Sequence, residues 1–271
     1  MPRPAPLPTR PLCADDAGAR ALAIAAGAHG VYVHNALERD EGEGAVLTQD
    51  GQDLGLVWFG PRGNLVVIAP PELDPDAVAD VVHKAARSWR IAMGPGGIVD
   101  ALRAGYAGKP LLHRDQVYYA CAPAQVAAGL VTAALRPALR ADRDRLVQAT
   151  LLLNQSDLNI DPARVDRRWL RDSVDERIAD GTTRVLGPPG APDCKLDFGS
   201  EGPAGTVIEG VFTFPPARGR GLATQLVASC IAAAAAARVC LHVGLHNTPA
   251  RCAYERAGMT AVDKCRLLLL G

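Results

Sequence analysis

A glycine-arginine loop is the part of this sequence best suited to chemistry. It reads Arg218-Gly219-Arg220-Gly221-Leu222-Ala223, between a strand-like and a helical segment. Glycine permits backbone angles that other residues avoid, and N–H groups at a helix start converge where the helix dipole favours an anion. The two arginines can add charge-assisted hydrogen bonds to phosphate oxygens. The loop is therefore a candidate phosphate site, with a solvated basic turn as the alternative.

Two other phosphate-binding loops are disfavoured here. No Gly-Lys-Ser/Thr closes the run, as a nucleoside triphosphate loop requires, and the dinucleotide fingerprint Gly-x-Gly-x-x-Gly is absent from it. Neither of these two phosphate-binding motifs therefore describes the loop.

Glu209 is a second candidate, because it is a carboxylate in an otherwise apolar strand-like segment. Two-residue alternation places it on the same face as Val211 and Thr213. A carboxylate there is costly unless it is hydrogen-bonded or functional. We therefore consider Glu209 a candidate base, with a glutamate at a sheet edge or in a salt bridge as the alternative.

Alternating strands and helices must position these residues. The second half predicts the order β-α-α-β-β-β-α-β-α-β, which indicates an α/β domain. The charge pattern of its second helix predicts an exposed, ion-paired face. The predicted elements are strand Val131–Leu139, helices Asp142–Leu153 and Arg164–Ile178, a hairpin of Thr182–Leu186 with Lys195–Phe198, strand Thr206–Phe214, a helix from Gly221 to Ala237, strand Val239–Val243, helix Pro249–Ala257 and strand Thr260–Leu270.

The first half also mixes strands and helices. Its predicted elements are helix Ala19–Ala28, strands Ala45–Leu47, Leu54–Phe59 and Asn64–Ala69, helix Asp76–Trp89, strand Arg90–Met93, helix Ile98–Ala104 and strand Gln116–Cys121.

Two stretches of the second half resemble the GNAT (general N-acetyltransferase) superfamily. Arg218-x-x-Gly221-x-Ala223 matches that family's Gln/Arg-x-x-Gly-x-Gly/Ala motif. The stretch LHNTPARCAYERAGM resembles its fourth helix, Asn-x-x-Ala-x-x-x-Tyr-x-x-x-Gly-Phe, with Met259 in the place of Phe. The resemblance covers Val131 to Gly271 and implies the GNAT fold, an α/β (α+β) architecture with a mixed, mostly antiparallel twisted sheet flanked by helices.

The resemblance implies acetyl-CoA as co-substrate, with its pyrophosphate cradled by the loop. It also implies a gap between the fourth and fifth strands, in which the pantetheine arm lies along Val211, Phe212 and Thr213. Asn247 is a further implied contact, or alternatively a residue that ends a loop. The implied pyrophosphate donors are the main-chain N–H groups of Arg218, Gly219, Arg220, Gly221, Leu222, Ala223 and Thr224.

The implied chemistry is N-acyl transfer to a primary amine by direct attack in a ternary complex. Tyr254 is the implied acid that protonates the leaving thiolate, with a core tyrosine as the alternative. Glu209 is the implied base, nine residues before Arg218 as in many family members, and His242 and His246 are further candidates. A non-catalytic acyl-CoA-binding sensor or regulatory module is the alternative function.

The implied acceptor site is bordered by the first two helices of this half and by the loop Asn154–Pro162. Asp157 is a candidate partner of the amine, and a solvated turn with helix caps is the alternative. The class of amine acceptor, a small molecule or a protein amine, stays open, and a homodimer is compatible with the sequence.

One segment of the first half has the same order of elements as the loop segment of the second half. Asn64–Val82 and Gly210–Val227 both read strand, Pro-Pro, loop, helix, but Glu-Leu-Asp-Pro replaces the glycine-arginine run. We interpret residues 16–128 as a smaller, degenerate GNAT-like α/β domain, after a flexible tail of residues 1–15 and before a GNAT acetyltransferase domain of residues 129–271. An unrelated α/β domain is the alternative.

Composition narrows the expected partners, metal sites and location of the protein. The 29 basic and 29 acidic residues balance, so neither nucleic acid nor an anionic membrane is expected as partner. The seven cysteines are scattered without Cys-x-x-Cys, which disfavours a zinc site or a disulfide framework. The proline-rich N-terminus lacks a signal-peptide apolar stretch, and the run Ile231–Leu245 is interrupted by Arg238 and His242. We therefore expect a cytoplasmic protein without a metal.

Overall fold

The computed structural model describes residues 6–271, and its contacts divide the chain into two α/β units. One comprises Met1–Tyr118 with Asp263–Gly271, and the other Tyr119–Val262. The sequence did not anticipate that the last strand contributes to the N-terminal unit. None of the helices in residues 6–271 combines the length and apolarity that crossing a bilayer requires.

The N-terminal unit builds its sheet in the order β1-β2-β3-β4-β5-β12-β6. The pairs are antiparallel from β1 through β4, β4 and β5 are parallel, and β5 pairs antiparallel with β12. Its elements are β1 (Thr9–Pro11), α1 (Ala17–Ala25), α2 (Val31–Glu38), β2 (Glu43–Gln49), β3 (Gln52–Phe59), β4 (Asn64–Ile68), α3 (Pro75–Lys84), β5 (Ile91–Gly94), α4 (Gly96–Ala104) and β6 (Leu112–Cys121).

Helices cover both faces of this sheet. Alternation along β4 sends Val66 and Ile68 to the face under α1 and α2, and Leu65 and Val67 to the face under α3 and α4. The sequence missed α2 because six of its eight residues are buried, so it shows no amphipathic stripe.

The predicted flexible tail needs correction where the structure describes it. Residues 1–5 of that tail lie outside the described residues. Thr9, Arg10 and Pro11 form β1, which pairs with β2. Arg10 forms ion pairs with Asp16 and Asp53, and these contacts hold the segment against the unit.

The second unit follows the element order predicted from sequence. Its sheet runs β11-β10-β9-β8-β7, with one parallel pair, β10 with β11, and antiparallel pairs elsewhere. Its elements are β7 (Arg136–Pro137), α5 (Arg143–Leu158), α6 (Arg167–Ala179), β8 (Thr183–Leu186), β9 (Cys194–Gly202), β10 (Gly205–Thr213), α7 (Leu222–Ala232), β11 (Val239–Gly244), α8 (Thr248–Arg256) and β12 (Thr260–Leu269), the last shared with the N-terminal unit.

Several element lengths in this unit differ from those predicted; β9, for example, spans Cys194–Gly202 rather than Lys195–Phe198. The first strand shrinks to Arg136–Pro137, and α5 extends to Leu158, so half of the predicted acceptor loop is helical. Helix α7 ends at Ala232 although alanines continue, since Arg238 must be extended for its carbonyl to accept from the Thr206 amide at 2.9 Å.

Candidate functional site

The glycine-arginine loop connects the end of β10 to the start of α7. A short 3-10 turn, Pro215–Ala217, follows β10. Gly219 and Gly221 then adopt φ angles of 78° and 74°, the left-handed region in which a side chain is strained. A Cβ at either position would meet nothing within 4 Å, so these glycines serve backbone conformation rather than packing.

Six consecutive main-chain amides in this loop are free within the described part of the chain. The amides of residues 219–224 donate to no described acceptor, and the first helical bond comes from Gln225 to the Gly221 carbonyl, at 3.1 Å. Gly221 is the N-cap and has no side chain to satisfy them. The predicted set needs one correction: the Arg218 amide donates to the Pro215 carbonyl at 3.2 Å and is not available to a ligand.

The two loop arginines are held differently. Arg218 donates from Nε to the Thr213 carbonyl at 3.0 Å, and its guanidinium lies 5.7 Å from the Phe212 ring centre. Arg220 is exposed and forms a long contact of 3.5 Å with Asp193. Arg218 is therefore fixed against the end of β10, whereas Arg220 can turn towards a ligand.

Strands β10 and β11 separate after two residue pairs. Thr206 pairs with Val239 and Val207 with Cys240. Beyond these two pairs both strands continue, but they no longer pair with each other. A strand edge with unpaired N–H and C=O groups can pair with an extended ligand. Val211 and Thr213 are half-buried on this stretch, while the Phe212 side chain is buried against α5 and Phe214.

A β-bulge in β10 changes the face to which its residues point. Glu209 pairs with Asp197 of β9, but Phe212, three residues later, pairs with Lys195. The extra residue shifts the alternation, so Glu209 shares a face with Phe212 rather than with Val211 and Thr213. The predicted shared face is therefore wrong.

Glycines make room for the side chains around this bulge. Glu209 is half-buried, and a Cβ on Gly199 would lie 2.3 Å from its Oε1. Gly210 has φ of 56°, and a Cβ there would lie 2.8 Å from both Asp197 Oδ2 and Lys195 Nζ. Any side chain at position 210 would displace that pair.

A buried ionic network lies beneath the bulge, and sequence reasoning missed it. Asp197 contacts Lys195, the Arg177 guanidinium at 2.6 Å and the Thr183 hydroxyl at 2.7 Å. Burial raises the pKa of Asp197, but Lys195, Arg177 and the hydrogen bonds outweigh it and bring the pKa below its usual value. The alternation Lys195-x-Asp197 in a strand was the available signal.

Tyr254 is buried on α8, with 6% of its surface exposed. Its hydroxyl has no hydrogen-bond partner in residues 6–271, and its ring meets that of Tyr119 edge-on at 6.1 Å. Burial raises the pKa of Tyr254, and the nearby Asp157 carboxylate raises it further. The phenol is therefore protonated at neutral pH, and Asp157, at the end of α5, lies within electrostatic range of it.

Asn247 is the N-cap of α8. Its side-chain oxygen accepts from the Ala250 amide at 3.3 Å, so the structural role considered from sequence is present. Its amide nitrogen remains a second group for a ligand. The other two base candidates lie beyond the point where β11 separates from β10. His242 is half-buried on β11, and His246 is exposed after that strand.

The N-terminal unit has the corresponding elements with fewer free amides. Between β4 and α3, Leu73 is buried, Pro75 lacks an N–H group, and Asp74 accepts from the Asp76 amide at 2.9 Å. A run of consecutive free amides like that at the start of α7 is therefore not found at the start of α3.

The strand gap of this unit is also occupied. Val67 follows the last pair between β4 and β5, and its carbonyl accepts from His29 Nε2 at 2.9 Å. His29 Nδ1 lies 2.8 Å from the Tyr118 hydroxyl, and burial lowers the pKa of His29, so the ring is neutral at pH 7. A side chain thus fills the position where an extended ligand would pair.

Comparison with known proteins gives one family match and several structural ones. Residues 190–259 match the acetyltransferase (GNAT) family. No curated protein sequence matches the chain. Among the described residues, no three His, Cys, Asp or Glu side chains form a group that could hold a metal ion.

Solved structures resemble this chain over nearly its whole length. A Drosophila protein has a TM-score of 0.63 at 12% identity, covering 97% of this chain and 98% of its own. A GCN5-related N-acetyltransferase from Sphaerobacter thermophilus has 0.55 at 17%, covering 98% and 95%. A GNAT-family acetyltransferase from Colwellia psychrerythraea has 0.52 at 10%, covering 97% and 100%. The chain therefore has the GNAT fold, and residues 190–259 carry the sequence signature of the GNAT acetyltransferase family.

Proposed function

We propose that this protein is an acyl-CoA-dependent N-acyltransferase that transfers an acetyl or other short acyl group to a primary amine. One observation carries the proposal. Six main-chain amides without internal acceptors lie at the start of α7, directly after the strand that separates from β11. Such a cluster suits a diphosphate, and the adjoining strand edge suits an extended amide-containing arm.

The residues present fit acetyl-CoA. The amides of residues 219–224 would hold the pyrophosphate, and exposed Arg220 would add charge. The unpaired edge of β10, at Val211, Phe212 and Thr213, would hold the pantetheine arm, with Asn247 as a further donor. Acetyl-CoA supplies an activated thioester carbonyl.

In the proposed reaction the neutral amine attacks that carbonyl, a C–N bond forms and the C–S bond breaks. Glu209 takes a proton from the amine, directly or through water. Tyr254 gives its phenol proton to the departing thiolate, and the phenolate is reprotonated from solvent. Free-hydroxyl geometry and a raised pKa support this role for Tyr254, because an acid must be protonated before transfer.

The amine acceptor is proposed to enter near Asp157. This carboxylate is close enough to Tyr254 to raise the pKa of the phenol. A carboxylate at that position would attract an ammonium group before it loses its proton. The cytoplasm remains the proposed location.

Thiol release tests the proposal. The full chain is incubated with acetyl-CoA and a panel of polyamines, amino acids, aminoglycosides and lysine peptides, and free coenzyme A is measured. We expect release that requires one class of amine, with the acylated product seen by mass spectrometry. Tight binding of acetyl-CoA without release for any amine would instead support the sensor function, and no binding would refute both.

A further inference from the structure

An arginine-lined groove lies on the two helices α5 and α6, where the sequence predicted an ion-paired face. Its volume is about 340 Å³, and it is open to solvent. We call it the arginine groove; its lining residues are Arg143, Arg167, Arg168, Arg171 and Asp172.

Most of the positive charge in the groove is unpaired within the described chain. Arg143 pairs with Asp175 at 2.5 Å, but its buried Nε has no hydrogen-bond partner among residues 6–271. The other three arginines, Arg167, Arg168 and Arg171, form no salt bridge with any described residue. The predicted ion-paired face is therefore wrong for this part of α6.

The groups available to a ligand in the arginine groove are side chains, not the main-chain amides at the start of α6. The Asp166 carboxylate already accepts from the amides of Arg168 and Trp169, at 2.9 and 3.1 Å. The guanidinium forks remain, and these match carboxylates with paired hydrogen bonds.

We propose that the arginine groove binds an acidic segment of a partner polypeptide. Sites for small molecules are enclosed, whereas this groove is open to solvent, with guanidinium groups along it. Nucleic acid would need a longer basic surface, and the chain has no net charge. Several carboxylates along an extended peptide fit an open row of guanidinium groups.

Arg143, one lining residue of the arginine groove, lies far from Asp157 of the proposed acceptor entry. Arg143 begins α5 and Asp157 lies near its end, about 21 Å apart along the helix axis at 1.5 Å per residue. The proposal does not depend on acyl transfer, and either can fail alone.

The test is a titration of a fluorescein-labelled peptide of alternating Glu and Ser with the full chain, followed by anisotropy at 50 and 200 mM salt. The same peptide with Gln in place of Glu is the ligand control. We expect binding only of the acidic peptide, weakened by salt. Trp169, which is 63% exposed beside Arg168 in sequence, gives a second signal through its fluorescence.

The double variant Arg168→Ala/Arg171→Ala should weaken peptide binding at least tenfold. Both side chains are exposed on a helix, where alanine is well tolerated, and circular dichroism checks the fold. Arg164→Ala/Arg238→Ala is the matched control, since both arginines are exposed outside the groove and the net charge changes equally. It should change affinity less than twofold.

Three results would overturn the proposal. The first is no binding of the acidic peptide, or an equal loss in both double variants, which reflects net charge alone. The second is displacement by inorganic pyrophosphate at concentrations below those of the peptide, which indicates a small-anion site. The third is self-association in sedimentation that Arg168→Ala/Arg171→Ala abolishes, which indicates a second copy of this chain as the occupant.

Discussion

Val207 of β10 and Cys240 of β11 form the last pair between these two parallel strands, although both strands continue for several residues. The bulge after Glu209 follows immediately, and the six free amides lie beyond the end of β10. The opening of the sheet and the candidate phosphate loop with its free amides therefore both follow the point where β10 leaves β11.

Gly221→Asp should lower the affinity for acetyl-CoA at least tenfold, because it places a carboxylate beside amides that would hold a diphosphate. Gly181→Asp is the matched control: Gly181 also has positive φ, 64°, with nothing within 4 Å of its Cβ position. Both variants should lose roughly 1 kcal/mol of stability from left-handed backbone. Isothermal titration calorimetry measures the affinity, and equal affinity in the two variants would rule out the loop assignment.

Tyr254→Phe should reduce kcat about 100-fold with little change in the acetyl-CoA dissociation constant, as expected for loss of a general acid. Stability should hardly change, since the hydroxyl has no partner in the described chain. Tyr119→Phe is the control, because its hydroxyl accepts from Arg251 and donates to Glu255 at 2.6 Å. That variant should lose about 1 kcal/mol of stability and keep its turnover. Wild-type turnover in Tyr254→Phe would remove Tyr254 from the mechanism.

One molecule of acetyl-CoA should bind per chain. In the N-terminal unit the Val67 carbonyl already accepts a hydrogen bond from His29. The Asp74 carboxylate already accepts from the Asp76 amide at the start of α3. Calorimetric stoichiometry near one tests this, together with Gly221→Asp, which should weaken that single binding event at least tenfold. Two binding events, or one whose affinity Gly221→Asp leaves unchanged, would place a site elsewhere.

Asp197→Asn should destabilise the protein by about 3–5 kcal/mol, because Lys195 would lose its closest buried counter-charge. The pKa of Asp197 is lower in the folded than in the unfolded chain, so its stabilisation is complete at neutral pH. It is lost as pH falls below about 4 and through the folded-state pKa.

Urea unfolding between pH 3 and pH 7 measures this effect. The gap between wild type and Asp197→Asn should narrow at the acidic end. Exposed Asp180→Asn should stay within about 0.5 kcal/mol of wild type. A gap that does not vary with pH would show that Asp197 contributes by packing rather than by charge.

Cysteine labelling at pH 8 should modify Cys13 first and half-buried Cys252 second. Burial raises the pKa of Cys194 to about 11 and those of Cys230, Cys240 and Cys265 to about 12, and it also raises the pKa of Cys121. These five thiols should react only after unfolding, as mass spectrometry of iodoacetamide adducts can show. Fast labelling of Cys240 in the native protein would mean that the β10–β11 gap reaches further than the structure indicates.

Several features were predictable from sequence because their signals are local. The element order of the second unit, the paired prolines before each loop and the glycines at 219 and 221 all follow from short-range periodicity and turn chemistry. The structure confirms the predicted GNAT fold and places the candidate loop at the start of α7.

Other features depend on partners that are distant in sequence. The face of the sheet on which Glu209 lies depends on the register between β10 and β9. The one extra residue of the bulge in β10 moves Glu209 to the other face relative to Val211 and Thr213. The arginines of α6 were expected to pair with nearby acids, yet Arg177 reaches instead to Asp197 in β9. Helix α2 was missed because tertiary burial, rather than an amphipathic pattern, stabilises it.

The sequence by itself determined that a loop rich in glycine and arginine follows a strand and opens a helix, because turn and capping preferences are properties of neighbouring residues. Tertiary structure alone decided which groups remain available there. The Arg218 amide donates to a carbonyl of the same loop, whereas the next six amides donate to no described acceptor. In the N-terminal unit, His29 and Asp74 form hydrogen bonds with main-chain groups at the corresponding places. Availability for a ligand depends on every acceptor within hydrogen-bonding distance, and only the folded chain brings those acceptors together.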